Sequence, residues 1–270
     1  MALGTTIERL RLRALPKLTG DYLWVTVDGL RIYGARRHHV MLYWLLRGKY
    51  ERHTRTLFED AVKPGMRVLD IGAHIGYFTL LAARAVGPTG RVYSFEPDPD
   101  NYRFLCHNVA LNGMEGVVTT VPKAVADTSG IRPFVADTKH SVVSSFLREG
   151  RSDAAMPVEC TTVDDFLDGR KIDVVKLDVE GAELEALRGM RRTLTETSQV
   201  AMFVECNPTS LASAGASVRE LLDELDALQF EARLIDERQR SLLPITSELL
   251  KPELADGKWY ANLYCARGRE

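Results

Sequence analysis

The sequence predicts an α/β fold built around a doubly wound, largely parallel sheet. From Val68 onward, short apolar runs alternate with helical patterns, a glycine turn joins the first run to a helix, and an acidic residue ends the second run. Strands that alternate with helices in this way form parallel sheets with helices on both faces. A chain of 270 residues, 45% of them hydrophobic, is long enough to bury such a core.

The stretch 68–79 organises this prediction. Asp70 ends a short apolar strand, Gly72 and Gly76 lie in the turn that follows, and a helical pattern then begins. A strand, a glycine turn and a helix N-terminus together expose backbone N–H groups to a ligand. Glu96 ends the next apolar run, at the position where such folds hold the two hydroxyls of a ribose.

Residues 1–55 are predicted to form an N-terminal helix and hairpin extension, and residues 56–270 the main domain. The extension begins with a short helix over residues 5–15 and continues with a β-hairpin that turns at Asp28-Gly29. Between residues 36 and 55 there are six Lys or Arg and one acid, which favours a solvated helix pair or a lid that meets an anionic or sugar-rich molecule. Surface positions are expected for His38, His39 and His53. Core positions are expected for Trp24, Trp44 and Trp259, with stacking on a sugar ring as the alternative.

The remaining elements follow from periodicity and capping residues. Phe78 and Leu81 begin a helical stripe, and Asp98 precedes Pro99 at the start of the next helix. The alternation breaks between residues 124 and 162, where an extra strand and a polar loop indicate an active-site insertion. Further predicted elements are strands at 117–121, 131–135, 172–178, 200–205, 230–235 and 259–265, a helix at 180–194, and a helix that begins at Ser217.

The amino-acid composition limits which binding partners and which cellular compartment are expected for the protein. The 35 basic and 37 acidic residues give a net charge of -2, which argues against a nucleic-acid partner. The four cysteines show no pair spacing, so reduced thiols and a cytoplasmic location are expected. No apolar run reaches transmembrane length, so no stable membrane insertion is expected. The edge of the hairpin suggests pairing between two copies in a homodimer.

Four ordered blocks resemble the FkbM family of class I S-adenosylmethionine-dependent methyltransferases. They read VLDIGAHIGYFTLLAA at 68–83, FEPDPDNYRFLCHNVALN at 95–112, VKLDVEGAELEALRG at 175–189 and VECN at 204–207. The resemblance implies a Rossmann-like, seven-stranded sheet whose last strand is antiparallel. His74 departs from the family pattern, which usually has asparagine there. The positions implied for binding S-adenosylmethionine are Asp70, Gly72, His74, Gly76, Tyr77, Phe78, Glu96, Pro97, Ala124 and Asp178.

Methyl transfer to a hydroxyl requires that its proton leave as the new bond forms. Asp178 and Glu205 end neighbouring strands and Asn207 follows, and such oxygens can bind magnesium, which acidifies a hydroxyl. The pattern is similar to that of metal-dependent catechol-type O-methyltransferases, although Cys206 splits the acid–asparagine pair. The alternative is that the two acids cap helices or contact the cofactor. His140, in the polar insertion, is a candidate general base or an exposed loop histidine.

The expected function is O-methylation of a small-molecule, sugar or glycan acceptor: a sugar, polysaccharide, glycolipid or glycosylated natural product. Asp178, Glu205 and His140 are the candidate catalytic residues. A nucleic-acid methyltransferase is the alternative enzyme, disfavoured by the lack of an Asn-Pro-Pro-Tyr-like motif. A non-catalytic module would bind S-adenosylhomocysteine without turnover. A nicotinamide-binding domain would require a fuller glycine motif than Gly72-x-x-x-Gly76.

Overall fold

A computed structural model describes residues 22–135, 145–146, 155–245 and 260–267. Among these residues, no helix is both long and apolar enough to cross a membrane. The elements up to residue 125 are β1 (Tyr22–Val27), β2 (Leu30–Ala35), a 3-10 turn (Arg36–His38), α1 (His39–Leu46), α2 (Arg52–Ala61), β3 (Arg67–Ile71), α3 (Tyr77–Val86), β4 (Arg91–Phe95), α4 (Pro99–Leu111), β5 (Val118–Val121) and β6 (Ala124–Val125). The elements that follow are β7 (Gly130–Val135), β8 (Ser145–Phe146), β9 (Met156–Thr161), α5 (Val163–Leu167), β10 (Val174–Leu177), α6 (Glu183–Arg188), α7 (Arg191–Glu196), β11 (Val200–Cys206), α8 (Pro208–Ser213), α9 (Val218–Ala227), β12 (Glu231–Asp236), β13 (Ser241–Pro244) and β14 (Ala261–Arg267).

An eight-stranded mixed sheet forms the centre of the fold, in the order β5-β4-β3-β10-β11-β14-β12-β13. The five strands from β5 to β11 run parallel, whereas β14 runs antiparallel to both β11 and β12. The predicted α/β fold with an antiparallel last strand is confirmed. The sheet has one strand more than the predicted seven, because β13 pairs with β12 as a hairpin at the edge.

A second, four-stranded sheet in the order β6-β9-β7-β8 interrupts the alternation after β5. It lies between residues 124 and 162, where the sequence predicted an insertion. Ala124 and Cys160 are paired in parallel strands, and Gly130 is paired with Cys160 in antiparallel strands. His140, in the same region, lies outside the described residues, as do Trp259 and residues 5–15.

The helix predicted over residues 180–194 is two helices, α6 and α7. Glu180 has a φ of 53°, in the left-handed region, so it cannot begin a helix. The carboxylate of Glu183 accepts hydrogen bonds from backbone N–H groups of the preceding loop, and α6 begins there. The carbonyl of Gly189 accepts the N–H of Asp164 at 3.0 Å, a bond from outside the helix, at the point where α6 ends.

The hairpin β1–β2 packs on α4 through two asparagines. The Asn108 side chain accepts the backbone N–H of Tyr33 at 2.7 Å and donates to its carbonyl at 2.9 Å. The Asn112 side chain makes the same pair of bonds to Arg31, at 3.0 and 2.8 Å. Because these side chains occupy the outer edge of β2, that edge is not open to a second copy. The homodimer and the division at residue 55 stay predictions.

The expected core positions of two tryptophans are wrong. Trp24 is 39% exposed and Trp44 is 41% exposed. Trp24 lies on the outward face of β1, because the alternate residues Leu23 and Val25 are the buried ones. Its ring stacks on Tyr33 across the hairpin, with 6.4 Å between ring centroids. The N-terminal region therefore presents aromatic side chains to the outside.

His38 is fully buried, so its expected surface position is also wrong. Its Nδ1 accepts the backbone N–H of Ala35 at 2.8 Å, which leaves the proton on Nε2 for a hydrogen bond to Oδ1 of Asn101 at 3.1 Å. Burial, together with the neighbouring His74, 5.0 Å away between ring centroids, lowers the pKa of His38 to about 3. Protonation of Nδ1 would break the bond to Ala35.

His38 should make the protein acid-sensitive. Its folded pKa lies below the ordinary value of 6.5, so the stability that the neutral ring contributes is fully present above pH 6.5 and is lost as the pH falls toward 3. One pKa unit corresponds to about 1.4 kcal/mol, so the loss at pH 4 should be about 3 kcal/mol. Urea unfolding of the wild type and of His38→Asn, whose amide oxygen can still accept a hydrogen bond, measures the difference.

The difference in the free energy of unfolding between the wild type and His38→Asn should change by about 3 kcal/mol between pH 7 and pH 4. The matched control is His39→Asn, since His39 is exposed. An equal pH dependence in the wild type and in His38→Asn would contradict the assigned role.

Candidate active site

A cleft opens at the carboxyl ends of β3, β4 and β10, the edge where open α/β sheets bind ligands. The structure brings nine of the predicted cofactor positions to this cleft, while their role in binding stays a prediction. They are Asp70, Gly72, His74, Tyr77, Phe78, Glu96, Pro97, Ala124 and Asp178. Side chains that the sequence did not point to also line it: Met41, Tyr50, Asn101, Phe134 and Lys176.

The turn between β3 and α3 adopts left-handed backbone at two cleft residues. Gly72 has a φ of 84°, and a Cβ there would lie 1.8 Å from the carbonyl oxygen of Asp178. His74 has a φ of 52°, a conformation that asparagine and histidine adopt more readily than most residues. This backbone requirement explains why histidine can stand where the family usually has asparagine.

Gly76, whose role in cofactor binding stays a prediction, is not among the residues that line the cleft. It lies at the N-terminus of α3 with a φ of 95°, and a Cβ there would meet Cδ1 of Leu105 at 2.8 Å. The missing side chain therefore makes room for α4 behind the turn.

Glu96 is held in place by the backbone around the cleft. Its Oε2 accepts the N–H of His74 at 2.8 Å, and its Oε1 accepts the N–H of Asp98 at 2.9 Å. Burial raises the pKa of Glu96 to about 8, although these two N–H groups lower it. Each oxygen keeps a further lone pair, so the carboxylate can accept hydrogen bonds from a ligand's hydroxyls.

Three carboxylates gather beside this cleft. One oxygen each of Asp178, Glu180 and Glu205 lies within 4.8 Å of the others. Burial and the nearby Asp178 raise the pKa of Glu180 to about 8 and that of Glu205 well above its usual range. Within the described part of the chain, Oε2 of Glu205 is buried without a hydrogen-bond partner. A buried acceptor of this kind calls for a cation or a donor from a ligand or water.

This acidic cluster differs from the predicted ligand set at one position. Oδ1 of Asn207 accepts the backbone N–H groups of Thr209 and Ser210, at 3.1 and 3.3 Å, and so caps α8. Glu180, and not Asn207, is therefore the third residue of the possible metal-binding set, beside Asp178 and Glu205. Three carboxylate oxygens are a suitable donor set for a hard divalent cation such as magnesium.

Lys176 is a buried cation that the sequence reasoning missed. Its Nζ lies 2.8 Å from Oδ2 of Asp178, 4.0 Å from Oε2 of Glu51, and 5.0 Å from the centre of the Phe78 ring. Burial alone would lower the pKa of Lys176, but Asp178 and Glu51 raise it above its usual value. The signal was a lysine inside the apolar strand VVKL, where a charged residue requires a partner.

Glu51 brings the N-terminal region to the acidic cluster. Its Oε2 accepts a hydrogen bond from Nδ2 of Asn262 at 3.1 Å, and Asn262 lies opposite Glu205 in the β11–β14 pair. Burial raises the pKa of Glu51 to about 7. Oδ1 of Asn262, like Oε2 of Glu205, is buried without a partner among the described residues. The site thus has two unpartnered acceptors on neighbouring strands.

Comparison with known proteins identifies the family. The methyltransferase FkbM domain matches residues 70–232, more than half of the chain. The chain belongs to the FkbM methyltransferase family. The match includes the end of β3, the glycine turn, β10 and β11. The acidic cluster therefore lies within the FkbM domain, whereas Met41 and Tyr50 of the cleft precede it. The domain is a S-adenosylmethionine-dependent methyltransferase domain, as the four sequence blocks predicted.

Three curated relatives are similar to this FkbM protein. Methyltransferase sdnD of Sordaria araneosa is 29% identical over 46% of this chain and 60% of its own length. Hexuronic acid methyltransferase AglP of Haloferax volcanii is 27% identical over 54% of this chain and 58% of its own length. The 2-O-methyltransferase NoeI of Sinorhizobium fredii is 25% identical over 68% of this chain and 80% of its own length. The chain thus spans about three fifths of the first two relatives.

A solved structure shares the fold. Protein PH0793 of Pyrococcus horikoshii superposes with a TM-score of 0.51 at 12% identity, over 97% of this chain and 84% of its own.

Proposed function

We propose that this FkbM protein transfers the methyl group of S-adenosylmethionine to a hydroxyl oxygen of a sugar-containing acceptor. The observation that carries the proposal is the acidic cluster of Asp178, Glu180 and Glu205, which adjoins the predicted cofactor cleft. A hydroxyl acceptor has a proton to lose, and a cluster of carboxylates provides acceptors for it. The names of two relatives, a hexuronic acid methyltransferase and a 2-O-methyltransferase, support a sugar and an oxygen acceptor.

The residues of the cleft suggest how the reactants are positioned. When bound, S-adenosylmethionine supplies a methyl carbon that is activated by a sulfonium. Glu96 would accept hydrogen bonds from the ribose hydroxyls, and the turn at Gly72 would let the ligand approach the main chain. Tyr77 and Phe78 would exclude water from the cleft. Positioning of this kind supplies a large part of catalysis in methyl transfer.

The acidic cluster would take up the proton of the acceptor. Asp178, which lines the cleft and is held by Lys176, is the carboxylate best placed to receive it. The unpartnered oxygens of Glu205 and Asn262 would accept hydrogen bonds from neighbouring hydroxyls, which a sugar provides and a simple alcohol does not.

Magnesium fits the same cluster. Asp178, Glu180 and Glu205 would hold the ion. With the ion bound, Oε2 of Glu205, which has no hydrogen-bond partner among the described residues, would be a metal ligand, and Oδ1 of Asn262 would remain for a hydroxyl of the acceptor. A bound divalent cation would lower the pKa of an acceptor hydroxyl. His140 stays a predicted alternative base, and a cytoplasmic location stays a prediction.

A methyl-label experiment tests this function. The protein is incubated with S-adenosylmethionine that carries a labelled methyl group and with carbohydrate, lipid, protein and nucleic-acid fractions of the producing cells, with and without a chelator. We expect label in carbohydrate or glycolipid, lost with chelator and restored by magnesium. Asp178→Asn and Glu205→Gln should each lower the rate by about 100-fold or more, within the range for general acid–base groups.

Glu196→Gln is the matched control, because Glu196 is an exposed acid at the end of α7. It should keep the full rate. If carbohydrate is labelled equally with and without the chelator, no metal is needed, and His140 becomes the favoured general base that removes the proton. Label in nucleic acid would overturn the acceptor class, and tight binding of S-adenosylhomocysteine without any labelled product would favour a non-catalytic module.

A further inference from the structure

Large exposed hydrophobic side chains are concentrated near the beginning of the described chain. Five of them lie between residues 22 and 46, each 39–52% exposed. Elsewhere in the described ranges, large hydrophobic residues are this exposed only at Ile131 and Tyr260. The five are Tyr22, Trp24, Val40, Trp44 and Leu46.

The helix α1 is apolar on its outward side as well as on its inward side. Met41, Leu42 and Leu45 are buried in the core beneath it. Val40 and Trp44 are four residues apart, so they lie on one face, and both are exposed. A helix with apolar residues on every side is normally covered on every side, so the outward face of α1 requires an apolar partner.

The segment that contains the outward face of α1 carries an excess of positive charge. The first 55 residues contain 11 Lys or Arg and 4 Asp or Glu, whereas the remaining residues contain 24 and 33. Arg36, Lys49 and Arg52 are exposed and form no ion pair with a described residue, in contrast to Arg37 and Arg55, which pair with carboxylates. The charge of this region is therefore opposite to that of the rest of the chain.

Aromatic residues beside lysine and arginine are typical of surfaces that lie at the level of lipid headgroups. Tryptophan places its ring at the boundary between headgroups and acyl chains, and basic side chains meet the phosphates. An anionic bilayer also attracts a positively charged surface over the distance of a Debye length. A protein partner would satisfy the apolar face but would not by itself require the excess of positive charge.

We propose that the outward face of α1 docks the protein on an anionic phospholipid bilayer. Val40 and Trp44 would enter the boundary region, and Lys49 and Arg52 would lie against the phosphates. The same region lines the cleft through Met41 and Tyr50, so docking would hold the cleft beside the membrane. The contact is peripheral and requires no membrane-spanning segment.

Vesicle co-sedimentation tests the docking face. The full chain is mixed with vesicles of phosphatidylcholine alone, or of phosphatidylcholine with phosphatidylglycerol. We expect binding to the vesicles with phosphatidylglycerol and a decline as salt rises, because the attraction between exposed charges is screened. The double variant Val40→Ser/Trp44→Ser should weaken this binding about tenfold or more, since it removes the apolar contact. Lys49→Glu/Arg52→Glu should weaken it while leaving the apolar face intact.

Ile131→Ser is the matched control, because it changes an exposed hydrophobic residue outside the docking face. It should bind vesicles like the wild type, and all variants should bind S-adenosylhomocysteine equally if they are folded. Binding that is absent, or that the double variant retains in full, would overturn the proposal. A wild-type dimer that Val40→Ser/Trp44→Ser converts to a monomer, with no vesicle binding, would assign the face to a second copy and also overturn it.

Discussion

Gly72→Ala should destabilise the protein by at least about 3 kcal/mol and abolish binding of S-adenosylhomocysteine. The added Cβ would lie 1.8 Å from the carbonyl oxygen of Asp178. This oxygen belongs to the backbone and cannot rotate away, so β3 and β10 would have to separate at the cleft. For a chain of this size, such a loss lowers the unfolding temperature by roughly 6–12 °C. Thermal unfolding and calorimetric titration measure the two effects.

Gly87→Ala is the control that separates the cost of backbone strain from the cost of a steric clash. Gly87 also has a positive φ, of 64°, but no atom lies within 4 Å of the position its Cβ would take. With a ψ of −169°, its backbone lies in a region that is almost restricted to glycine, so the substitution should cost about 1–3 kcal/mol of backbone strain and leave ligand binding unchanged. Equal costs at the two glycines would contradict the close approach of Gly72 to Asp178.

Lys176→Met should destabilise the protein by about 3–5 kcal/mol, because it removes a fully buried cation from two partly buried carboxylates. Asp178 and Glu51 would both lose the ammonium that lies 2.8 and 4.0 Å from them. Protonation removes the charge of a carboxylate, so the penalty should be smaller at pH 5 than at pH 8. The pKa of Glu51, raised by burial to about 7, falls within this range. Urea unfolding at the two pH values measures the penalty.

A double-mutant cycle tests whether the cost is electrostatic. Adding Glu51→Gln to Lys176→Met removes one of the unpaired charges, so the double variant should recover about 1 kcal/mol or more. Lys63→Met is the control for the loss of a lysine, because Lys63 is exposed and should cost little. A penalty that is the same at both pH values, with no recovery in the double variant, would show lost packing instead of lost charge.

The parts of the fold that the sequence predicted depend on local signals. The turn at 72–76 was predicted from its glycines. Helix α4 was predicted from Asp98 and Pro99, and the Asp98 side chain does accept the backbone N–H groups of Asp100 and Asn101, while Pro99 is the first helical residue. The split of the helix predicted at 180–194 was missed, because it depends on a hydrogen bond from the distant Asp164. Such a contact leaves no trace in the periodicity of the helix itself.

Only part of the candidate site was predicted, because local sequence signals do not show contacts between distant segments. Residues in the strand-tip motifs, such as Glu96 and Asp178, were found because strand ends can be located in the sequence. Glu51 and Asn262 were missed, since they belong to segments at opposite ends of the chain that meet only in the folded protein. The core position predicted for Trp44 was wrong. An apolar residue in a helix predicts burial, but the sequence does not show whether a partner outside the chain covers that residue instead.

Titration with S-adenosylhomocysteine tests the central claim, that the cleft holds the cofactor with its ribose on Glu96. The wild type should bind one equivalent at pH 8.5, above the pKa of about 8 that burial gives to Glu96. Hydrogen bonds to a charged group contribute about 1.5–3 kcal/mol, so Glu96→Gln should bind roughly tenfold more weakly or worse. Glu115→Gln, at an exposed acid, should bind like the wild type. No binding by the wild type, or equal binding by Glu96→Gln, would contradict this account of the site.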